Sequence, residues 1–501
     1  MGRSKIPKLP GRLSKKKSAS PPPPPPGREE IKLTFDDKTA PVVDDSRTLE
    51  LDPNLSSTPW SDQNTADLTM QMPDDPPDMD FESFPAFIPD EPKTFEDTGL
   101  TRTFIEHLVL KYLLAYPGVT GNAVAEGICL HPDPVRELLR DLKLRMLVVH
   151  AKGNTPMDFH YDLTEAGRQD AIELRKQSAY VGPAPITLEY YRESVATQSI
   201  AREPLQKDDL DRAFSSLVVD PDLMGLLGPA MTSGKGLFLF GNPGNGKTSI
   251  ALRMAQAYRG NVFIPHCVLM NGTLIQIFDP QVHHKVQRVT PRTYGRERLD
   301  SRWVECRRPV VVAGGELTLD SLELENTGPG QCEAPLQLKA NCGIMLIDDF
   351  GRQRVDKDEL LNRWILPLES RVDYLRLPSG RKVQVPFDPM LVFSTNLDPR
   401  ELVDEAFLRR IPYKIEFVDP TPELFRVVLQ KEADNMGFLM DDGAVDYLID
   451  RHYDKVGRGM RFCHPRDLLL QVRNRCLFNN SPLELTEEAF DYAAWGYFTL
   501  L

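Results

Sequence analysis

Residues 236–249 read GLFLFGNPGNGKTS, and no other stretch restricts the fold of this chain so tightly. A short apolar run of the kind that forms a buried strand leads directly into G-x-x-x-x-G-K-T. SIALRMAQAYRG, with apolar residues at helical spacing, follows. Glycines at 241, 244 and 246 let the backbone curl closely, so that successive N–H groups and a helix start face one anionic group. The pattern therefore predicts a strand, a phosphate-binding loop and a helix. Its contacts are expected from Gly241, Asn242, Pro243, Gly244, Asn245, Gly246, Lys247, Thr248 and Ser249. Lys247 would reach β- and γ-phosphate oxygens, and the Thr248 hydroxyl would ligate Mg²⁺.

A second apolar run, Ile344 to Ile347, ends in Asp348 and Asp349. A parallel strand buried on both faces should be apolar throughout and should present polar residues at its carboxyl end, where α/β sheets bind ligands. Asp348 is then the candidate for the metal shell, and Asp349 the candidate to orient or deprotonate an attacking water. A third run, Met390 to Ser394, ends in Thr395 and Asn396, whose amide is placed to hold that water or the γ-phosphate. Asn after a strand is otherwise a common turn residue.

Taken in order, these segments resemble the AAA+ ATPase family over about residues 207–501. GNPGNGKT is similar to its Walker A loop, IMLIDD to its Walker B strand and STN to its sensor-1 strand. VDEAFLRRI resembles the helix end that carries an arginine finger, and HPRDLL the sensor-2 position in a helical lid. The resemblance implies ATP and Mg²⁺ as cofactors, hydrolysis at subunit interfaces, and a homo-oligomeric ring, a hexamer by expectation. It implies Arg409 or Arg410 as the finger acting on a neighbour's γ-phosphate, and Arg466 as the lid arginine, with Arg458 and Arg461 as rivals. The second acid is Asp349 where the family usually has Glu, one methylene longer.

Between Asp349 and Asn396 a helix around Leu360–Leu368 is followed by strand-like runs at 372–377 and 382–385 about the turn Pro378, Ser379, Gly380 and Arg381. This resembles the hairpin inserted before sensor 1 in one AAA+ branch. There such hairpins face a central pore, a place Arg376, Arg381 and Lys382 would occupy; solvated hairpin charge explains them equally well. The interval 262–339 is longer than a compact core needs. It holds VLMNGTLIQIF, a hairpin about Asn271-Gly272, and RPVVVAGGELTLDSLEL, read as a second strand pair about Gly314 and Gly315. Its extra length favours a substrate or partner surface.

Upstream, 17 of the 43 prolines precede residue 98. Residues 1–28 hold eight Lys or Arg and no acid, and residues 29–97 hold nineteen acids against four bases, so the net charge of −13 leaves only −6 for residues 98–501. Residues 1–97 are expected to be a disordered tail, because such sequence buries too little apolar surface to offset chain entropy. The beads Phe81, Phe84, Phe87 and Ile88 read as a short docking motif within it. Residues 98–180 pattern as three helices, two strands and a closing helix, a winged-helix arrangement, and YDLTEAGR resembles the end of its wing. Its third helix carries Arg136, Arg140, Lys143 and Arg145, but also Asp133, Glu137 and Asp141, scarcely the net positive potential that DNA requires.

The expected plan is a tail (1–97), a winged-helix domain (98–180), a linker lying on the next domain (181–206), an α/β P-loop NTPase core of AAA+ type with a parallel sheet (207–420) and a C-terminal α-helical lid (421–501). Seven scattered cysteines without a C-x-x-C pair suit a reducing cytoplasm. No apolar stretch reaches the ~18 residues of a membrane span, and no His/Cys spacing suggests a zinc site. The expected function is remodelling of a protein or nucleic-acid substrate driven by ATP hydrolysis. The alternative is a nucleotide-gated switch that grips DNA through the winged helix.

Overall fold

The computed structural model describes residues 86–151, 158–286, 298–440 and 442–499. The basic head, the polyproline block, Phe81 and Phe84 lie outside these residues. The tail boundary at 97 needs correcting, because residues 86–101 are a strap packed on the body. The Phe87 ring lies 5.6 Å from Tyr190 and 5.2 Å from Trp303, and the Asp300 N–H donates to the Pro89 carbonyl at 3.0 Å. The apolar bead at 87 thus docks within its own chain, where an aromatic ring among others gains more than it would in water.

The strap leads into α1 (Arg102–Ala115), β1 (Val119–Thr120), α2 (Gly121–Gly127), α3 (Pro132–Leu144), β2 (Val148–His150), β3 (His160–Leu163) and α4 (Glu165–Gln177). Threonines cap α1, α2 and α4: Thr101, Thr120 and Thr164 each accept from a backbone N–H of the first turn. The strands form an antiparallel sheet in the order β1-β3-β2. The helices enclose a core of Ile105, Leu108, Val135, Leu138 and Leu142. These are the three helices, two strands and closing helix expected, with β1 added.

The segment expected to be a linker contributes structure of its own. It forms β4 (Ile186–Thr187) and α5 (Leu188–Gln198), followed by α6 (Lys207–Ala213) and α7 (Pro221–Thr232). Next come β5 (Leu237–Gly241), α8 (Lys247–Arg253), β6 (Val262–Pro265), β7 (Cys267–Met270), β8 (Thr273–Gln276), β9 (Trp303–Cys306) and β10 (Val310–Ala313). Then follow β11 (Glu325–Gly328), β12 (Gln331–Glu333), α9 (Leu336–Lys339), β13 (Ile344–Ile347), α10 (Lys357–Ser370), β14 (Val372–Arg376), β15 (Lys382–Pro386) and β16 (Met390–Thr395). The core ends with α11 (Pro399–Leu402), α12 (Glu405–Arg410) and β17 (Tyr413–Phe417).

Five of these strands make one sheet in the order β10-β13-β16-β5-β17, and every neighbouring pair is parallel. Both faces are covered. Leu237, Leu239, Ile344, Leu346, Met390 and Val392 point into one core, whereas Phe238, Met345, Ile347, Leu391 and Phe393 point into another with Trp364. That alternation with apolar residues on both faces is why the runs carry no polar residue before their carboxyl ends. The fold class is therefore α/β, with a P-loop parallel-sheet core followed by a helical lid.

The interval 262–339 is built differently from the expectation in one respect. VLMNGTLIQ is the expected hairpin, β7 with β8, turning through Asn271 and Gly272, both at positive φ. VVVA, however, is β10, an edge strand of the main sheet, and the chain after Gly314 does not return along it. An all-apolar Val run suits a two-faced parallel strand better than a hairpin arm. Of the other strands, β6 pairs with β9, and the rest join β4 in a second sheet, β11-β12-β8-β7-β4. Its core joins Ile186, Tyr191 and Val195 of the linker segment to Val268, Ile275 and Trp303. The long interval therefore serves internal packing. A buried pair, Asp300 with Arg302 at 2.8 Å, adds bonds from Arg302 Nη1 to the Thr98 and Pro185 carbonyls, tying strap, linker and interval together. The hairpin β14–β15 is present as expected. Its apolar face (Leu375, Val383, Val385) enters this same core, while Arg376, Arg381 and Lys382 are exposed at its tip.

The lid comprises α13 (Pro422–Met436), α14 (Asp442–Ile449), α15 (His464–Asn479) and α16 (Glu487–Phe498). It has a core of its own around Phe425, Leu448, Tyr453, Leu468 and Phe490. Among the described residues no helix is long and apolar enough to cross a membrane.

Candidate functional site

The loop after β5 has the backbone that its glycines permit. Gly241, Gly244 and Gly246 adopt φ of 129°, 84° and 81°, a region costly for residues with a Cβ. At Gly241 the constraint is also steric, because a Cβ there would lie 2.4 Å from the Phe417 carbonyl oxygen of β17. Gly246 leads straight into α8. The first turn of that helix leaves the N–H groups of Lys247, Thr248 and Ser249 without intrahelical acceptors, and nothing lies within 4 Å of where a Cβ on Gly246 would be. Pro243 lies in the turn of the loop, and Ser249 in the first turn of α8.

The carboxyl ends of adjacent strands bring the remaining groups together. Asp348, just past β13, accepts from Thr248 Oγ1 at 2.9 Å (Oδ2) and 3.2 Å (Oδ1). Thr248 and Asp348 are thus the residues that could hold a divalent cation. Lys247 Nζ donates to the carbonyls of Gly241 and Asn242, both at 2.9 Å, and to Asn396 Oδ1 at 2.7 Å. Asn396 Nδ2 in turn donates to Asp349 Oδ1 at 3.3 Å. Lysine, sensor-position amide and second acid therefore form one chain of hydrogen bonds. Burial pushes the Lys247 ammonium below its usual range, with Asp348 and Asp349 opposing that shift. Asp349 itself has φ +49, a conformation that Asp tolerates better than most residues.

The lid arginine needs a correction. Arg466 sits 3.7 Å from its neighbour Asp467 with its side chain 64% exposed, because position 466 falls on the outward side of the first turn of α15. Arg458 is drawn into the lid, its guanidinium 3.7 Å from the Phe498 ring centroid. The arginine over the loop is Arg461, which pairs with Asp419. Its Cβ lies 3.6 Å from where a Cβ on Gly244 would be. Asp419, in the short connection from β17 to the lid, also accepts from Asn245 Nδ2 at 2.8 Å and Asn242 Nδ2 at 3.1 Å. Burial alone would push its pKa up, but the bonds from Asn245, Asn242 and Arg461 outweigh that and hold the carboxyl below the usual range. The Cys463 N–H donates to the Gly244 carbonyl at 2.9 Å, so the lid rests directly on the loop. Asp419 escaped the sequence reading, although a carboxylate just past a parallel strand is the same signal that marked Asp348.

The two finger candidates differ. Arg410 donates to Glu369 Oε1 at 2.7 Å and to the Ala406 carbonyl at 2.8 Å. Arg409 is held only by the i,i+4 pair with Glu405 at 2.8 Å and is 75% exposed. Both lie in the last turn of α12.

Comparison with known proteins adds the following. A family model described as a domain of unknown function, DUF8689, matches residues 421–495, the lid. No curated protein matches the sequence. Among solved structures, the RuvB Holliday junction branch migration motor of Thermotoga maritima is similar at 14% identity, over 58% of this chain and 68% of that one, with a TM-score of 0.32. NtrX from Brucella abortus is similar at 12% identity, over 56% of this chain and 55% of that one, with a TM-score of 0.35. Sheet order and loop geometry, not these likenesses, carry the fold assignment.

Proposed function

We propose that this chain is an Mg²⁺-dependent ATPase of AAA+ type that works as a homo-oligomeric ring, hexameric by expectation, and remodels a protein or nucleic-acid partner. The observation that supports it best is the meeting of Thr248 with Asp348 beside the Lys247–Asn396–Asp349 chain. It supplies a metal position, a phosphate cation and a water-orienting acid within one cleft. Thr248 and Asp348 would hold Mg²⁺, whose positive charge would offset charge developing on the phosphates. Lys247 would leave the Gly241 and Asn242 carbonyls for phosphate oxygens, releasing Asn396 and Asp349 to hold a water in line. Arg461 would meet the γ-phosphate from the lid in the role expected of Arg466. Arg409, the less restrained of the finger candidates, would serve a neighbouring subunit's site.

One base on α3 and another just past its end are already engaged: Arg136 donates to Asp133 at 2.8 Å and Asn122 at 2.6 Å, and Arg145 to Glu106 at 2.7 Å. That disfavours the DNA-gripping switch, and the N-terminal winged-helix domain is better suited to docking protein. Steady-state phosphate release and nucleotide binding test the proposal together. Lys247→Ala should abolish ATP binding, and Asp349→Asn should bind ATP yet turn over at least about 100-fold more slowly. Full turnover in either variant would remove the assignment.

A further inference from the structure

Asp419 stands where three parts of the molecule meet. Its carboxylate accepts from both asparagines of the glycine loop, Asn242 at 3.1 Å and Asn245 at 2.8 Å, and pairs with Arg461 of the lid. It lies in the four-residue connection between β17 and α13, through which any movement of lid against core must pass. The side chains of this pair are only partly exposed, 24% for Arg461 and 34% for Asp419, so water screens their attraction incompletely. The Cβ of Arg461 is already over Gly244. Its guanidinium therefore needs no movement of the lid backbone to exchange one anion for another, only rotation about its own side-chain bonds.

We propose that Asp419 determines how well the site distinguishes a nucleoside triphosphate from a diphosphate, by competing with the γ-phosphate for Arg461. This rests on the reading of the glycine loop as an ATP site. With a diphosphate bound, Arg461 stays on Asp419, and lid and loop keep the arrangement described above. With a triphosphate bound, the γ-phosphate takes the guanidinium, and Asp419 retains only the two asparagine amides. The loop then holds its shape while the lid loses its tether to the core connection. The same carboxylate thus weakens triphosphate binding and makes the lid's position depend on the third phosphate. Diphosphate binding, which does not displace Arg461, is indifferent to it.

Asp419→Asn isolates the competition, since an amide oxygen still accepts from Asn242 and Asn245 but no longer holds a guanidinium as an ion pair. Binding of ATP and ADP to the full chain is measured by calorimetry in the Asp349→Asn background, so that hydrolysis does not intrude. ATP should bind roughly 3- to 10-fold more tightly in Asp419→Asn than in its parent, while ADP stays within about twofold. Adding Arg461→Ala should erase the gain. Equal changes for both nucleotides, no change in the ratio of their affinities, or a gain that survives Arg461→Ala would overturn the proposal. If the parent binds neither nucleotide, the ATP-site reading itself has failed, a result separate from all of these.

Discussion

Replacing Gly244 by alanine separates two costs that the structure keeps distinct. The first is conformational. At φ +84 a Cβ carries a penalty of about 1–2 kcal/mol whatever surrounds it. The second is steric. The new methyl would lie 2.5 Å from Cys463 Sγ and 3.6 Å from the Cβ atoms of Arg461 and Cys463. Only the sulfur is too close, and crowding of this kind costs about 1–3 kcal/mol. The lid can relieve the crowding by lifting, at the expense of the bond from the Cys463 N–H to the Gly244 carbonyl. It cannot relieve the backbone strain, which belongs to the loop. Hydrogen exchange of the residue 463 amide therefore reads the steric part alone, and Gly244→Ala should lower its protection about 5- to 150-fold. Adding Cys463→Ala removes the sulfur and leaves contacts at ordinary distance, so protection should return. ATP affinity reads the strain as well, and should remain about 5- to 30-fold weakened in the double variant. Protection that stays low in the double variant, or never falls in the single one, would show that the lid does not rest on this glycine.

Acid should destabilise the protein well above the range of its carboxylates. Burial holds His266, His283 and His464 at about 4. His283 is locked in the neutral form, Nδ1 accepting from the Asp279 N–H at 2.9 Å and Nε2 facing the Lys339 carbonyl at 2.8 Å. Between pH 6.5 and 4 the unfolded chain binds protons that the folded chain refuses, so stability falls as pH drops through that window. His283 alone contributes up to about 3 kcal/mol of this loss. Urea melts from pH 7.5 to 4.5 check it, and a flat profile refutes it. For the finger, Arg409→Ala should bind ATP but stall, and mixing it with Lys247→Ala protein should restore part of the phosphate release. Failure of any mixture to exceed the separate proteins would argue against a shared site.

The main sheet was legible because a parallel strand covered on both faces has no polar position to spare, so IMLI and LVFS could be little else. The glycine loop was legible because each of its glycines adopts a positive φ that a Cβ would strain, and at Gly241 and Gly244 a Cβ would also be obstructed. What escaped depends on pairings distant in sequence. The second sheet joins a two-residue strand at 186–187 to 268–269, and 331–333 to 274–276, and neither short segment shows a period before its partner is known. The strap is marked by only two aromatics, Phe87 and Phe95, whose acidic and proline-rich neighbours resemble the tail before it.

The lid arginine escaped for a different reason: spacing fixes which residues share a helix face, but not where a helix begins relative to the loop beneath it. Arg466 lies inside α15 and turns outward, while Arg461, in the irregular approach to that helix, crosses the loop. One observation from the sequence would have separated them. An arginine over a glycine loop needs an anion to hold it when no phosphate is there, and the carboxylate in the connection between the last core strand, β17, and the lid is Asp419. Searching the strand ends for the acid, and then asking which arginine it could hold, leads to Arg461 by chemistry that helix periodicity does not contain.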